Sequence, residues 1–92
     1  FGKVDILVNN AAGNFLCPAV KLTINGWNAV IDIVLNGTWH CTSVFGRHMV
    51  ERGSGNILNI IATYAWTGAP LVMPSAAAKA GVLAMTQSLA ME

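Results

Sequence analysis

The sequence predicts an α/β fold built on a doubly wound parallel sheet, and two observations support this prediction. Residues 4–9 and 56–62 are short runs rich in Val, Ile and Leu, as expected for parallel strands that are buried on both faces. Each run is followed by a segment in which apolar residues recur with a helical period. The chain therefore alternates strand, helix, strand and helix, which is a right-handed β-α-β unit with one additional helix.

Both predicted strands end in sequence that favours turns and loops. The first strand continues into residues 9–14, which are rich in Asn, and the second continues into a loop that carries Tyr64, Trp66 and Gly68. Ligands of doubly wound sheets bind beyond the carboxyl ends of the parallel strands. We therefore expect the functional residues in segments 9–14 and 62–64.

The first helix is predicted over residues 24–52. Thr23 suits its N-cap, and Gly53 suits the residue that stops it, because glycine readily adopts the left-handed conformation. The dipeptide Asn36-Gly37 interrupts the helix and predicts a kink or an irregular turn. Asn36 is interpreted either as a structural residue that satisfies backbone groups at this kink or as a catalytic residue.

The second helix is predicted over residues 75–91 and carries an isolated lysine. Lys79 is the only charged residue between Arg52 and Glu92, and its neighbours on the helix are alanine and glycine. Burial in such surroundings would lower the pKa of the lysine. Ser75 lies one turn earlier on the same helix face, so one interpretation is a capping serine with a lysine that reaches solvent. The alternative is a nucleotide site, because the ends of both strands point towards this helix.

Composition and charge argue against several classes of protein. The chain is 54% hydrophobic and 10% charged with a net charge of +1, so neither disorder nor a nucleic-acid partner is expected. The uncharged stretch 53–78 contains polar residues and prolines, so no membrane span is expected. The spacing of Cys17 and Cys41 favours two reduced, partly buried thiols over a zinc site or a disulfide. So little charge also predicts surfaces that the rest of a larger domain or a partner subunit covers.

Residues 5–13, with the sequence Asp-Ile-Leu-Val-Asn-Asn-Ala-Ala-Gly, resemble the Asn-Asn-Ala-Gly strand end of the short-chain dehydrogenases/reductases. Asn36, Asn59 and Lys79 occur in the order expected for that family. The resemblance implies a Rossmann-like fold and the cofactor NADP, with NAD as the alternative. It also implies that residues 1–92 are the central part of one NAD(P)-binding domain. This part lacks the Gly-rich phosphate loop that precedes it in typical members and the substrate segment that follows it.

Two departures from the family pattern indicate a particular branch. Typical members have a Tyr four residues before the Lys and a Ser at the end of the second strand, whereas this chain has Ser75 and Ala62. The 2,4-dienoyl-CoA reductases are similar in this respect. The resemblance therefore implies NADPH-dependent reduction of an acyl-CoA substrate, a 2,4-dienoyl-CoA, to a 3-enoyl-CoA. Four blocks of this sequence resemble blocks expected in that branch, namely residues 9–15, 32–38, 64–65 and 74–81.

Residue by residue, the resemblance implies a catalytic set of Tyr64, Asn14, Ser75 and Lys79. Lys79 would hold the nicotinamide ribose, and Ser75 would hold cofactor or substrate where typical members have their acid. Tyr64 and Asn14 would donate hydrogen bonds to the thioester carbonyl and stabilise a dienolate, which an ordered water would protonate at carbon. The implied cofactor-binding residues are Asn10, Ala11, Ala12 and Lys79.

Several of these residues have other interpretations. Asn10 is equally consistent with a structural link between the strand ends, and Tyr64 with packing beside Trp66. Tyr64 could instead be the acid of a 3-oxoacyl or simple carbonyl reductase. A third hypothesis is a non-catalytic module that docks through its helices. The resemblance further implies a homo-oligomer formed through helices 24–52 and 75–91.

Overall fold

The computed structural model describes residues 2–92. Its sheet is formed by two short parallel strands, β1 (Ile6–Asn9) and β2 (Asn56–Asn59). The predicted α/β class and the order strand, helix, strand, helix are confirmed. The other elements are a 3-10 turn at Ala19–Lys21, α1 (Ile24–Ile31), a π-helical segment (Asp32–Asn36), α2 (Gly37–Arg52), α3 (Tyr64–Thr67) and α4 (Met73–Ala90).

The two strands pair residue for residue, from Ile6 opposite Asn56 to Asn9 opposite Asn59. Both strands are shorter than predicted. Within residues 2–92, the last backbone bond between them is donated by Ile60 N to Asn9 O at 3.0 Å. Beyond this bond the backbone segments that follow the two strands separate into the loops that form the candidate site.

The predicted helix over residues 24–52 is present as one helical path that a π-helical segment divides into α1 and α2. Thr23 caps its N-terminus, because the Thr23 Oγ1 accepts a hydrogen bond from Gly26 N at 3.0 Å. Gly53 ends it in the left-handed conformation, with φ of 80°. The predicted irregularity is confirmed as a π turn that ends at Asn36, where one extra residue widens the helix.

The segment after β2 differs from the predicted loop. It contains the short helix α3, which begins at Tyr64. Helix α4 then begins at Met73, earlier than the predicted residue 75, because Pro74 suits the first helical turn, where its missing N–H is not needed. It ends at Ala90 rather than at residue 91. No helix within residues 2–92 is long and apolar enough to cross a membrane.

The buried core lies between α4 and the helical path formed by α1 and the π-helical segment. Gly81 allows the close approach of these helices, because a Cβ at this position would lie 3.1 Å from the Leu35 side chain. This packing fixes one side of α4. The buried core residues are Val30, Val34, Ala78 and Val82.

The two faces of the sheet have different surroundings. One face contacts α2 and α4. On the other face Ile6, Val8 and Leu58 are 62%, 52% and 54% exposed. Parallel sheets of doubly wound folds are covered on both faces. The exposed apolar face agrees with the expectation, drawn from the low charge, that some surfaces of this chain are covered by further structure.

Candidate active site

The candidate site lies where the carboxyl ends of β1 and β2 meet the first half of α4. Lys79 is buried there, with only 6% of its surface exposed. Its Nζ donates hydrogen bonds to the backbone carbonyls of Ile60, at 2.8 Å, and of Ala11, at 3.2 Å. Because these carbonyls follow the last backbone bond of the sheet, the ammonium lies between the separating strand ends. The interpretation of Lys79 as a lysine that reaches solvent is therefore wrong.

The surroundings of Lys79 change its electrostatic behaviour. Burial lowers the pKa of Lys79 below its ordinary value of 10.5, because the charged form loses hydration. The carbonyls of Ala11 and Ile60 replace part of that hydration. An ammonium has three N–H donors, so one donor is left for a ligand. The site thus presents one directed, positively charged donor at the edge of the sheet where ligands of this fold bind.

Tyr64 and Ser75 form the second polar feature of the site. The Tyr64 hydroxyl and the Ser75 Oγ are 2.8 Å apart, and either can donate the hydrogen bond. Tyr64 begins α3 just after the end of β2, and Ser75 lies in the first turn of α4, one turn before Lys79. The geometry therefore joins a side chain from each of these two helices.

This contact bears on the interpretations of both residues. Ser75 is only 3% exposed and is not the N-cap of α4, which is Val72. The interpretation of Ser75 as a capping residue is therefore wrong. Tyr64 is held through its hydroxyl, whereas Trp66, its suggested packing partner, is 64% exposed.

The loop after β1 carries three residues expected to bind the cofactor, and the structure brings one of them to Lys79. The backbone carbonyl of Ala11 accepts a hydrogen bond from the lysine, and Ala11 is half-buried. Asn10 and Ala12 are exposed. The link between strand ends that was considered for Asn10 is made by Asn9, whose side-chain nitrogen donates to Asn59 Oδ1 at 2.8 Å.

Asn14 lies further along the same loop and is exposed. Its Oδ1 accepts a hydrogen bond from Phe15 N at 3.0 Å, which is a contact within the loop. The loop is tied to the segment before α4 by a bond from Cys17 N to Leu71 O, at 2.9 Å. Asn14 and Tyr64 thus lie on connected segments, and in the described part of the chain their side chains are not joined by a hydrogen bond.

The sequence prediction missed a row of hydrogen-bonded side chains next to the site. Asn9 is 7% exposed and donates to Thr42 Oγ1 at 3.1 Å and to Asn59 Oδ1 at 2.8 Å. Asn59 in turn donates to Thr86 Oγ1 at 2.8 Å. We refer to these four residues as the polar chain, which runs from α2 across both strands to α4. A signal was available in the sequence, because an Asn follows the apolar residues of each strand and parallel pairing brings the two together.

Asn36 lies in the π-helical segment and is exposed. Its Nδ2 donates to Asp32 Oδ1 at 2.7 Å, so its side chain bonds within the segment that contains the kink. The bond goes to a side-chain carboxylate and not to the backbone groups at the kink, so it tests neither interpretation of Asn36.

No three His, Cys, Asp or Glu side chains among residues 2–92 come together as a possible metal site. Cys17 and Cys41 are both free thiols; Cys17 is half-buried, as expected, whereas Cys41 is exposed, so the expected partial burial of Cys41 is wrong.

Sequence and fold both match the short-chain dehydrogenases. The family model described as short chain dehydrogenase matches residues 1–92, so the chain belongs to that family. The chain is 59% identical over 93 residues to a probable 2,4-dienoyl-CoA reductase, (2E)-enoyl-CoA-producing, of Bacillus subtilis. The alignment covers 100% of this chain and 37% of that protein. It is 47% identical over 92 residues to the peroxisomal 2,4-dienoyl-CoA reductase, (3E)-enoyl-CoA-producing, of Mus musculus. This alignment covers 100% of the chain and 32% of that protein. The resemblance to the family, near this branch, is confirmed.

Solved structures agree with this placement. A short chain dehydrogenase from Bacillus anthracis is 62% identical with a TM-score of 0.95, over 99% of this chain and 38% of that one. A gluconate 5-dehydrogenase from Burkholderia cenocepacia, in complex with NADP and tartrate, is 33% identical with a TM-score of 0.93, over 96% of this chain and 34% of that one. The Rossmann-like fold is thereby confirmed. The chain spans about a third of the length of these relatives, from 32% of the mouse protein to 38% of the Bacillus anthracis chain.

Proposed function

We propose that the full-length protein is a nicotinamide-dependent reductase of 2,4-dienoyl-CoA thioesters. The observation that carries this proposal is Ser75, which stands where typical members have a Tyr and whose Oγ holds Tyr64 at 2.8 Å. Reduction of a ketone needs an acid that transfers a proton to oxygen. Reduction of a conjugated thioester needs only donors that stabilise the oxygen while negative charge spreads to it. The names of the Bacillus subtilis and mouse relatives support the same substrate class.

The proposed cofactor is NADP, with NAD as the alternative. When bound, a reduced nicotinamide supplies a hydride to C5 of the diene. Lys79 suits such a group, because its remaining N–H can bind a ribose hydroxyl while Ala11 and Ile60 hold the ammonium. Asn10, Ala11 and Ala12 would line the same edge of the sheet. The NADP in the Burkholderia cenocepacia relative supports a nicotinamide cofactor.

Tyr64 would donate a hydrogen bond to the thioester carbonyl. A tyrosine hydroxyl can donate one hydrogen bond and accept another, so Ser75 can donate to Tyr64 while Tyr64 donates to the substrate. Two successive hydrogen bonds polarise one another and make the Tyr64 O–H a stronger donor. A preorganised donor of this kind contributes about 3 kcal/mol to the stabilisation of a developing oxyanion.

Asn14 would be the second donor to the same oxygen. Its Oδ1 accepts from Phe15 N, which leaves its Nδ2 to donate to a substrate. The bond from Cys17 N to Leu71 O connects the Asn14 loop to the segment that leads into Ser75. Both donors would therefore be positioned by connected segments of backbone.

The proposed product is a 3-enoyl-CoA. A dienolate that is protonated at the α carbon gives a 3-enoyl-CoA, and one that is protonated at the γ carbon gives a 2-enoyl-CoA. Donors at the oxygen, Tyr64 and Asn14, would hold the charge near the thioester and favour the α carbon, with an ordered water as the proton source. The relatives are named for both outcomes, (2E) in Bacillus subtilis and (3E) in mouse. The NMR spectrum of the product distinguishes the two positions of the double bond.

The proposed assembly is a homo-oligomer through α2 and α4, the helices within the predicted interface. A groove of about 1000 Å³ lies between them and β2, and Trp39, Val50 and Leu89 are among its lining residues. Trp39 is 46% exposed and Val50 is 82% exposed. A second copy that covered these side chains would agree with the low charge of the chain. Light scattering should give the mass of an oligomer, and Trp39→Glu should reduce it.

The proposed activity is tested on the full-length protein with NADPH and NADH, offered 2,4-hexadienoyl-CoA and acetoacetyl-CoA in parallel. We expect turnover of the diene with NADPH, strong loss in Tyr64→Phe and little change in Trp66→Phe, which alters an exposed aromatic of the same helix. Turnover of acetoacetyl-CoA alone would instead favour a carbonyl reductase with Tyr64 as its acid. No turnover of either substrate would refute both assignments and favour a non-catalytic module.

A further inference from the structure

We propose that Asn59 and Thr86 are positioning residues that hold Lys79 in place, an inference that rests on the proposed cofactor role of that lysine. The observation is that α4 is attached to the end of β2 at two points. Lys79 Nζ donates to Ile60 O at 2.8 Å, and Asn59 Nδ2 donates to Thr86 Oγ1 at 2.8 Å. Lys79 and Thr86 lie about two turns apart on α4, so both face the sheet.

The Thr86 hydroxyl has a defined orientation in this contact. Its proton is donated to Val82 O at 2.7 Å, one turn earlier in α4. A hydroxyl has one proton, so its lone pairs are left to accept from Asn59. The contact therefore attaches α4 to β2 at a second place, about two turns from the hydrogen bonds that Lys79 makes to Ile60 O and Ala11 O.

The end of β2, next to the Ile60 carbonyl that accepts a hydrogen bond from Lys79, is held in place by the contacts of Asn9 and Thr42 in the polar chain. Asn59 Oδ1 accepts from Asn9 Nδ2 at 2.8 Å, and Asn9 also donates to Thr42 Oγ1 at 3.1 Å. The backbone of Asn9 accepts from Ile60 N at 3.0 Å, and the carbonyl of Ile60 holds Lys79. The polar chain thus joins the residue that receives the lysine to the helix that carries it.

Apolar packing supplies a less directional constraint. The buried core residues of α4, Ala78 and Val82, pack with Val30 and Val34 of α1 and the π-helical segment. Ile61, just beyond the end of β2, also packs against this core. The hydrogen bonds of Lys79 and Thr86 add direction to this packing, because each joins one atom of α4 to one atom at the end of β2.

The test uses the full-length protein and measures the dissociation constants of NADPH and NADH by nucleotide fluorescence, together with the melting temperature. Thr86→Val removes the hydroxyl at nearly constant shape, and Thr86→Ser restores it. Thr38→Val is the matched control, because the buried Thr38 hydroxyl makes the same kind of bond, to Val34 O at 2.7 Å. Thr86 and Asn59 are only half-buried, so loss of the hydroxyl does not leave a fully buried, unsatisfied amide and the variant should fold. Thr86→Ala serves in the same design if Thr86→Val does not fold.

We expect both Thr86→Val and Thr38→Val to lower the melting temperature, because each loses a hydroxyl bond to the preceding turn of its helix. Only Thr86→Val should weaken nucleotide binding, by about fivefold, the effect of one hydrogen bond. Thr86→Ser should restore the affinity, and Thr86→Val should have no further effect when Lys79→Ala is already present.

Three results separate the failure of this inference from the failure of the proposed function. Additive effects of Thr86→Val and Lys79→Ala, or unchanged affinity in Thr86→Val, would show that Thr86 only stabilises the fold and would overturn the inference. Unchanged nucleotide binding in Lys79→Ala would refute the cofactor role of Lys79, and the inference with it. A protein that does not reduce dienoyl-CoA, yet binds nucleotide through Thr86 and Lys79 as expected, would refute the substrate assignment alone and support the inference.

Discussion

Removal of the Ser75 hydroxyl tests whether this serine acts through Tyr64 or contacts a ligand directly. Ser75 is only 3% exposed, and its Oγ is 2.8 Å from the Tyr64 hydroxyl. Ser75→Ala leaves Tyr64 its own O–H but removes the bond that orients it, which should cost about 1 kcal/mol, or about fivefold in kcat. Tyr64→Phe removes the proposed donor to the substrate, which should cost about 3 kcal/mol, or roughly 100-fold in kcat.

The assay is steady-state reduction of 2,4-hexadienoyl-CoA by the full-length protein, with both single variants and the double variant. The double variant should be no slower than Tyr64→Phe, because without the tyrosine hydroxyl the serine has nothing to orient. Ser75→Thr retains a hydroxyl and serves as the control. If the two effects on kcat were additive, or if Ser75→Ala raised the KM for NADPH, Ser75 would contact a ligand independently and the reasoning would be refuted.

Four further predictions follow for three residues, two for Lys79 and one each for Gly53 and Thr23. The affinity for NADPH should fall as pH rises through the lowered pKa of Lys79, at a pH below 10.5, and fluorescence titration that gives constant affinity up to pH 10.5 would contradict this. The pKa of Lys79 is lower in the folded protein than in the unfolded chain, so between these two pKa values the folded protein binds fewer protons. Lys79 should therefore raise the free energy of unfolding at a pH above its unfolded pKa, and this gain should be lost as the pH falls through its folded pKa. Lys79→Met should abolish this pH dependence in denaturant titrations at several pH values. Gly53→Ala should lower the free energy of unfolding by about 1 kcal/mol because Gly53 has φ of 80°, whereas Gly53→Asn should retain most of it, so equal urea midpoints for the two variants would argue against the reasoning. Thr23→Ala should cost about 1 kcal/mol through loss of the cap to Gly26 N, and Thr23→Ser should restore it; a melting temperature that does not distinguish them would exclude the cap as the cause.

The order of elements could be predicted from the sequence because it depends on local patterns. The two apolar runs, the helical period between them and Gly53 are each visible within a few residues of sequence. The edge of the sheet that carries the candidate site followed from the same patterns, since the ends of parallel strands lie together. The order of the elements was confirmed by the fold, and the position of the site at this edge stays a prediction.

The contacts within the site could not be predicted, because they depend on where each strand ends. Asn9 rather than Asn10 links the two strands, since a shift of one residue along a strand places the side chain on the opposite face. Lys79 binds the carbonyls of Ala11 and Ile60 because the backbone ladder stops at Asn9. An apolar run shows that a strand is present, but not the residue at which its pairing ends.

The contact between Tyr64 and Ser75 was also beyond the sequence pattern. It requires α3, a helix of 4 residues, which is too short to have a recognisable period. It also requires α4 to begin at Met73, so that Ser75 lies inside the first turn and does not cap it. Ser75 was singled out by its spacing from Lys79 and Tyr64 by its place after the second strand, and the resemblance implied their roles. The structure supplied the hydrogen bond that relates them.

The most direct test of Tyr64 as the donor to a thioester oxygen is the kcat/KM of the full-length protein for 2,4-hexadienoyl-CoA at saturating NADPH, compared between wild type and Tyr64→Phe. We predict that the wild type reduces this substrate and that Tyr64→Phe is slower by roughly 100-fold. Equal values for the two proteins would contradict the proposed role of Tyr64.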